Sequence, residues 1–285
     1  MKSVDELLIN CQNDITRETL EILKRGSYIN RKGEEIDIRN SVSFSLVNSK
    51  EFEPGYNFLE KESPNRRGFI EITEETTLNA SYRMVVDEGE SNVACLNFAS
   101  AYNPGGGFTA FARAQEETLA RSSGLYLTLI EHQNMYIYNR SHRNPYYSDY
   151  MISSHNVPVF RASNYQLLDQ PYLVSFITSP SVNAKAVSRT QNADSKAIFQ
   201  VMTTRIRKIL HLAIEEGYDN LVLGAFGCGA FGNDSKIVAG IFYHLLEEQN
   251  MKSFFNRIVF AIYERKEGAN TVQHFIDRFQ GSVKA

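Results

Sequence analysis

The stretch "NPGGGFTAFARAQEETLARSSGLY" places Gly105, Gly106 and Gly107 seven residues ahead of Gln115, Glu116 and Glu117. Glycines lack a Cβ, so their backbone can approach a ligand closely, and N–H groups backed by a helix N-terminus favour an anion. A carboxyl at the start of that helix can lend or take a proton. Adjacent helical residues point about 100° apart, so only one glutamate can aim squarely at a ligand in the loop while its neighbour orients it. Such a ligand-facing carboxylate is expected to be exposed. Each feature alone has a plainer account: a tight turn, and acids that suit a helix dipole at ~0.3 to 1 kcal/mol each.

A second stretch changes that weighing. "NLVLGAFGCGAFGND" is an apolar run ending in Gly224, Gly227, Gly229 and Gly232, ahead of a helix that Asp234 can begin. This again suits a phosphate. "GCGAFG" matches the dinucleotide pattern, but a Rossmann unit needs a further strand with an acid ~20 positions on, and Glu264 comes too late. The P-loop lysine is missing as well. Phe231 is placed to stack on a base or sugar, or to sit in the core under the loop. Cys228, near a helix start, reads as a small residue filling a tight turn, with an activated thiolate as the sharper alternative.

These loops need a scaffold. Apolar runs "GFIEI", "VACLNF", "MISSHNVPVF", "YLVSFIT", "LVLGAF" and "RIVFAIY" alternate with helical stretches, among them a long helix after the first glycines with Leu119, Ser122, Tyr126 and Leu129 on one face. The pattern predicts an α/β three-layer sandwich with a largely parallel or mixed sheet. "VACLNF" should end at about Phe98, leaving Asn97 at its tip and Asn103 in the loop at the carboxyl edge, where open α/β sheets bind ligands. Ahead of this core, Asp14 is expected to cap a helix that Gly26 ends, and "SYINRKGEEIDI" to form a hairpin around Gly33. "PGYNFLEKESPNRRG" reads as a surface connection. The expected division is therefore an accessory N-terminal segment, 1–60, packed on a catalytic domain, 61–285.

The chain has 285 residues, 42% hydrophobic, with a net charge of -3 and a pI near 6.1. There is no global basic field for nucleic acid, so direct DNA binding is not expected. Asp5 and Glu6 occupy the place of a signal peptide's apolar core, and no run reaches the ~20 residues of a membrane span, so a cytoplasmic protein is expected. Cys11, Cys95 and Cys228 are odd in number and form no Cys-x-x-Cys pair, which argues against a disulfide framework and a zinc site. Lone histidines such as His155 and His211 read as surface or satisfied core. Neither metal nor cofactor is expected.

Three glycines, seven residues, then Gln-Glu-Glu, within "NFASAYNPGGGF...ARAQEETLARSSGLY", resembles the bacterial-type poly(ADP-ribose) glycohydrolases, a branch of the macrodomain superfamily. The likeness continues through "MISSHNVPVFR", "YLVSFITSPSVNA" and "LVLGAFGCGAFGND", from roughly residue 14 to residue 280. The resemblance implies a macrodomain core with an N-terminal extension, acting on ADP-ribosylated protein or polymer. It implies that the loop of Gly105, Gly106 and Gly107 lies against the distal ribose and that Glu117 is the catalytic acid. Glu116 becomes its ribose-binding neighbour, and Gly227, Cys228, Gly229, Ala230 and Phe231 form the diphosphate loop. Asn97, Asn103 and Gln115 join them as substrate contacts. Four positions before Gln115 the family usually has a small residue, most often Gly, where this chain has Phe111. A large ring there is expected to narrow the site or alter which substrate fits.

Three functions follow in order of expectation. The first is hydrolysis of ADP-ribosyl linkages, at polymer ends or, close behind, at singly modified arginine. The second is a non-catalytic ADP-ribose reader, disfavoured because a reader gains little from a carboxylate beside a dianionic ligand. The third is a nicotinamide-dependent oxidoreductase, for which the downstream acid is missing.

Overall fold

In the computed structural model, which describes residues 6–8, 11, 13–110, 112–190, 194–264 and 268–281, the two faces of each central strand feed different cores. Strand β5 (Val93–Phe98) sends Ala94 and Leu96 to one core and Val93 and Cys95 to the other. Strands β8 (Asn220–Leu223) and β9 (Arg257–Ala261) do the same, with Leu221, Leu223, Ile258 and Phe260 on the first side and Val222 and Val259 on the second. A sheet apolar on both faces must be covered on both, which makes a three-layer α/β/α sandwich.

The seven-stranded sheet has the order β3 (Lys50–Phe52), β6 (Met151–Arg161), β7 (Leu167–Ser179), β5, β8, β9 and β4 (Phe69–Thr73). The pairs from β7 through β4 are parallel, and β6 runs antiparallel to both its neighbours, so the sheet is mixed. The first core is closed by the helices Ser195–Glu215, through Met202, Ile206, Ile209 and Leu210, and Ser235–Tyr243, through Val238 and Phe242. The second is closed by Leu78, Met84, Leu119, Leu125, Leu129 and Tyr136. No helix among the described residues is long and apolar enough to cross a membrane.

Before the sheet, helix α1 (Asp14–Arg25) ends at Gly26 in the left-handed region, and a two-stranded hairpin, β1 (Ser27–Ile29) with β2 (Glu35–Asp37), turns through Gly33. The helix cap is Asn13 rather than Asp14. Its Oδ1 accepts from the Thr16 N–H at 3.0 Å, which leaves Asp14 in the first turn, where its charge suits the dipole.

The long helix expected after the glycines is two short ones, Gln115–Ser122 and Leu125–Glu131. Ser123 is extended and bridges to Val159 of β6, and the Gly124 N–H donates to the Pro158 carbonyl at 3.0 Å. A Cβ on Gly124 would sit 3.4 Å from the Pro158 ring, an ordinary contact, so the chain lies directly on β6 here. Leu119, Ser122, Tyr126 and Leu129 are nonetheless all buried. The run "LVLGAF" leaves the sheet at Leu223, and Gly224 follows, packed where a Cβ would meet the Ala261 carbonyl oxygen at 2.7 Å.

Candidate active site

Strands β5 and β8 are parallel neighbours, so the glycine loops that follow them lie side by side at the carboxyl edge of the sheet. The first loop is held by the two glutamates. Glu116 Oε2 accepts from the Ser100 N–H at 2.6 Å, and Asn97 Nδ2 approaches its other oxygen at 3.4 Å while also donating to Thr178 at 3.2 Å. Glu117 accepts the Gly107 N–H on Oε1 and the Ala114 N–H on Oε2, both at 2.9 Å. The second bond is half of a capping box, in which the third residue of the helix satisfies the backbone of the capping position. Ala114 has no side-chain oxygen to return the favour.

Both carboxyls converge on Gly106. A Cβ there would lie 2.3 Å from Glu117 Oε1 and 3.1 Å from Glu116 Oε2, and the residue's φ of 60° lies where side chains are rare. Glycine is required on both counts. Contrary to the expectation of an exposed carboxylate, Glu116 is 2% and Glu117 8% exposed. Three of their four oxygens accept loop N–H groups and the fourth faces Asn97, which draws the side chains back over the loop. Burial, aided by the neighbouring Glu117 carboxylate and opposed by the Ser100 N–H, pushes Glu116 up to about 8, so it keeps a proton at neutral pH.

Gln115 does not turn toward the loop. Its Oε1 accepts from the Phe98 N–H at 2.8 Å and its Nε2 donates to the Leu96 carbonyl at 2.7 Å, which splices the start of the helix into the end of β5. Asn103 is exposed, and its carbonyl accepts the Gly106 N–H at 2.9 Å.

In the second loop, Gly227 has a φ of 76° and packs so closely on Ser181 and Asn233 that a Cβ would clash with both. Asn233 Nδ2 donates to the Gly227 carbonyl at 3.0 Å and to the Val182 carbonyl at 2.8 Å. Gly229 and Ala230 are exposed at the tip, and Lys185 Nζ bonds their carbonyls at 3.3 and 3.1 Å. Asp234 caps the helix behind, accepting from the Lys236 N–H at 2.8 Å. Burial pushes the Cys228 thiol up to about 12, which removes the activated-thiolate alternative. Phe231 is half-buried, its ring 5.7 Å from Tyr147, and Tyr147 stands edge-on to Tyr102 of the first loop at 5.3 Å. Three rings thus join the two loops along one side.

Phe111 lies outside the described residues. No group of His, Cys, Asp and Glu among the described residues is arranged to hold a metal ion.

Several supports carry no mark in the sequence. Thr16 of α1 donates to the Phe108 carbonyl at 2.7 Å and accepts from Arg121 Nε at 2.9 Å, while Arg121 Nη2 also reaches that carbonyl at 2.7 Å. Thr19 donates to the Arg121 carbonyl at 2.6 Å. The far end of the glycine loop is thereby fastened to the N-terminal helix by buried polar groups. Arg205, also fully buried, bonds Asp149 and the carbonyls of Tyr146, Tyr147 and Pro180. An arginine in a helical stretch reads as exposed, and only its Asp partner far along the chain would have betrayed it.

The sequence model of a family described as microbial-type PARG, catalytic domain, matches residues 16–162. Among solved structures, poly(ADP-ribose) glycohydrolase from Thermomonospora curvata is 40% identical over 93% of this chain and 98% of its own, with a TM-score of 0.87. The same enzyme bound to the inhibitor ADP-HPD is 39% identical over the same shares, with a TM-score of 0.83. Poly(ADP-ribose) glycohydrolase from Deinococcus radiodurans in complex with ADP-ribose is 35% identical, covering 84% of this chain and 97% of its own, with a TM-score of 0.76. A comparison with curated proteins gives no match.

Proposed function

The chain belongs to the microbial-type poly(ADP-ribose) glycohydrolase family, and we propose that it releases ADP-ribose from the ends of ADP-ribose polymers, with Glu117 as the general acid and base. The observation that carries this reading is the convergence of both carboxyls on Gly106, beside a loop suited to a diphosphate.

On this reading the distal ribose sits against Gly105, Gly106 and Gly107, and its diphosphate against residues 227–231. Glu116 keeps its own proton, held by the low polarity around it, and adds no negative charge beside the ribose. Glu117, in its acid form, delivers its own proton to the leaving oxygen as the bond from the anomeric carbon breaks, through an oxocarbenium-like state. The substrate's diphosphate stabilises the positive charge that develops. A water then attacks the same carbon and its proton returns to Glu117, so the pair ends as it began. Gln115 and the contacts from Thr16 and Arg121 are positioning groups. The N-terminal segment acts as an accessory whose helix α1 braces the catalytic loop, while its Lys50–Phe52 adds the edge strand β3 to the core sheet.

Phe111, standing where the family usually has a small residue, keeps arginine-linked mono-ADP-ribose as the second substrate. The test is release of free ADP-ribose from polymer and from proteins modified singly on Arg, Ser or Glu. Release mainly from polymer is the expected result. Tight ADP-ribose binding with no release from any substrate would make the chain a reader instead.

A further inference from the structure

We propose that the edge of the site formed by Tyr102, Tyr147, Arg140 and Arg143 is a subsite for the next ADP-ribosyl unit, the one that leaves when the terminal bond is cut. The inference rests on the proposed function and adds where the outgoing polymer lies.

The first argument is the order of the loops. Along the carboxyl edge the strands run β8, β5, β7, then β6, whose antiparallel direction brings its start, Met151, to the same edge. A linear substrate with its diphosphate beyond β8 and its terminal ribose beyond β5 is laid out along this series. Continued in the same direction, the group attached to that ribose passes over the ends of β7 and β6. There lie Tyr102, in the loop after β5, and residues 143–150, which lead into β6.

The second argument is what those residues offer. Tyr102 and Tyr147 are both part-exposed, with rings edge-on at 5.3 Å. The Tyr147 carbonyl is held by buried Arg205 at 3.1 Å, and Asn183 Nδ2 donates to its hydroxyl at 3.3 Å. An aromatic face fixed in this way stacks on a base with little ordering cost. Arg140 donates to the Tyr102 carbonyl, which places a guanidinium at the rim of the glycine loop.

The third argument is charge. Residues 132–193 contain Arg140, Arg143, Arg161, Lys185 and Arg189 against only Asp149 and Asp169, in a chain whose net charge is -3. Arg161 is buried and paired with Glu18, while Asp149 is taken by Arg205 and Lys208. Lys185 belongs to the second loop, whose carbonyls it bonds, whereas Arg140, Arg143 and Arg189 are exposed and have no ion-pair partner among the described residues. A single ADP-ribose needs no cations beyond its own diphosphate loop, whereas a polymer brings another diphosphate with every unit.

The test compares two substrates: ADP-ribose polymer, and ADP-ribose carrying 4-nitrophenol on the anomeric carbon, which has no second unit. The variant is Arg143→Glu, an exposed position outside the two glycine loops. The expected result is a KM for polymer raised about 5-fold with kcat kept, and a salt dependence of KM shallower by about 0.7 to 1 in log–log slope. Cleavage of the nitrophenyl substrate should be unchanged. The neutral Arg143→Asn should shift polymer KM the same way by less, and serves if the charge reversal disturbs folding. A polymer KM within about 2-fold of wild type, or equal losses on both substrates, overturns the subsite while leaving the proposed function standing. A wild-type enzyme that cleaves the nitrophenyl substrate but not polymer overturns both.

Discussion

Replacing Gly106 by alanine tests whether the loop and the two carboxyls form one fitted unit. The new Cβ would stand 2.3 Å from Glu117 Oε1, against an ordinary contact of about 3.4 Å, so the carboxylate must retreat by about 1 Å. That retreat breaks its bond to the Gly107 N–H. The left-handed backbone adds about 1 to 2 kcal/mol of strain for a residue with a side chain. A misplacement of about 1 Å at a catalytic group costs roughly 100-fold in rate. The variant should therefore fold with a modestly lower Tm, bind ADP-ribose through the second loop within about 10-fold of wild type, and lose at least ~100-fold in kcat. Chromatographic assay of released ADP-ribose, with calorimetry for binding, reads all three. Gly55→Ala is the control, since nothing lies within 4 Å of a Cβ there. A folded Gly106→Ala enzyme with kcat within about 3-fold of wild type would refute the reasoning, because the carboxyl position would then not matter.

Three further outcomes follow from other parts of the site. Phe231→Ala should weaken ADP-ribose binding by ~1 to 3 kcal/mol in calorimetry if the ring stacks on the ligand; normal affinity with a lowered Tm would make it a core residue. Because Glu116 titrates at about 8 in the fold, above its ordinary 4.5, the folded state holds a proton that the unfolded chain has lost between those values. Stability is thus fullest below pH 4.5 as far as this group is concerned and falls toward pH 8, by at most about 1.4 kcal/mol per pH unit, and Glu116→Gln should flatten that slope in melting curves. Thr16→Val removes a hydroxyl that bonds the Phe108 carbonyl and receives Arg121, and should lower stability by ~1 to 3 kcal/mol in denaturant titration while also reducing kcat, since the loop loses its brace.

The parts of this site that are legible in the sequence are those where one residue type alone can do the job. Gly105, Gly106 and Gly227 all adopt positive φ, and Glu117 closes a capping interaction three residues after Ala114, so their spacing records the local geometry. The strands are legible because being apolar on both faces is itself a topological statement. What the sequence conceals is decided by distant partners. The break at Ser123 exists because β6 lies beneath it, and the burial of Glu116 and Glu117 depends on loop N–H groups folding over them. Arg121 and Arg205 look like surface residues until Thr16 and Asp149 are brought to them. Asn13 takes the cap from Asp14 by a one-residue difference that composition does not resolve.

The most direct test of the account is hydrolysis of ADP-ribose polymer by Glu117→Gln, with ADP-ribose affinity measured on the same preparation. Glutamine has one acceptor oxygen where the carboxylate offers two, so one of the Gly107 and Ala114 N–H bonds is lost, and stability should drop by about 1 to 3 kcal/mol without unfolding the protein. The account predicts a folded protein that still binds ADP-ribose and releases it from polymer at least ~100-fold more slowly than wild type. Release at the wild-type rate by that variant would contradict the assignment of Glu117 as the acid and base.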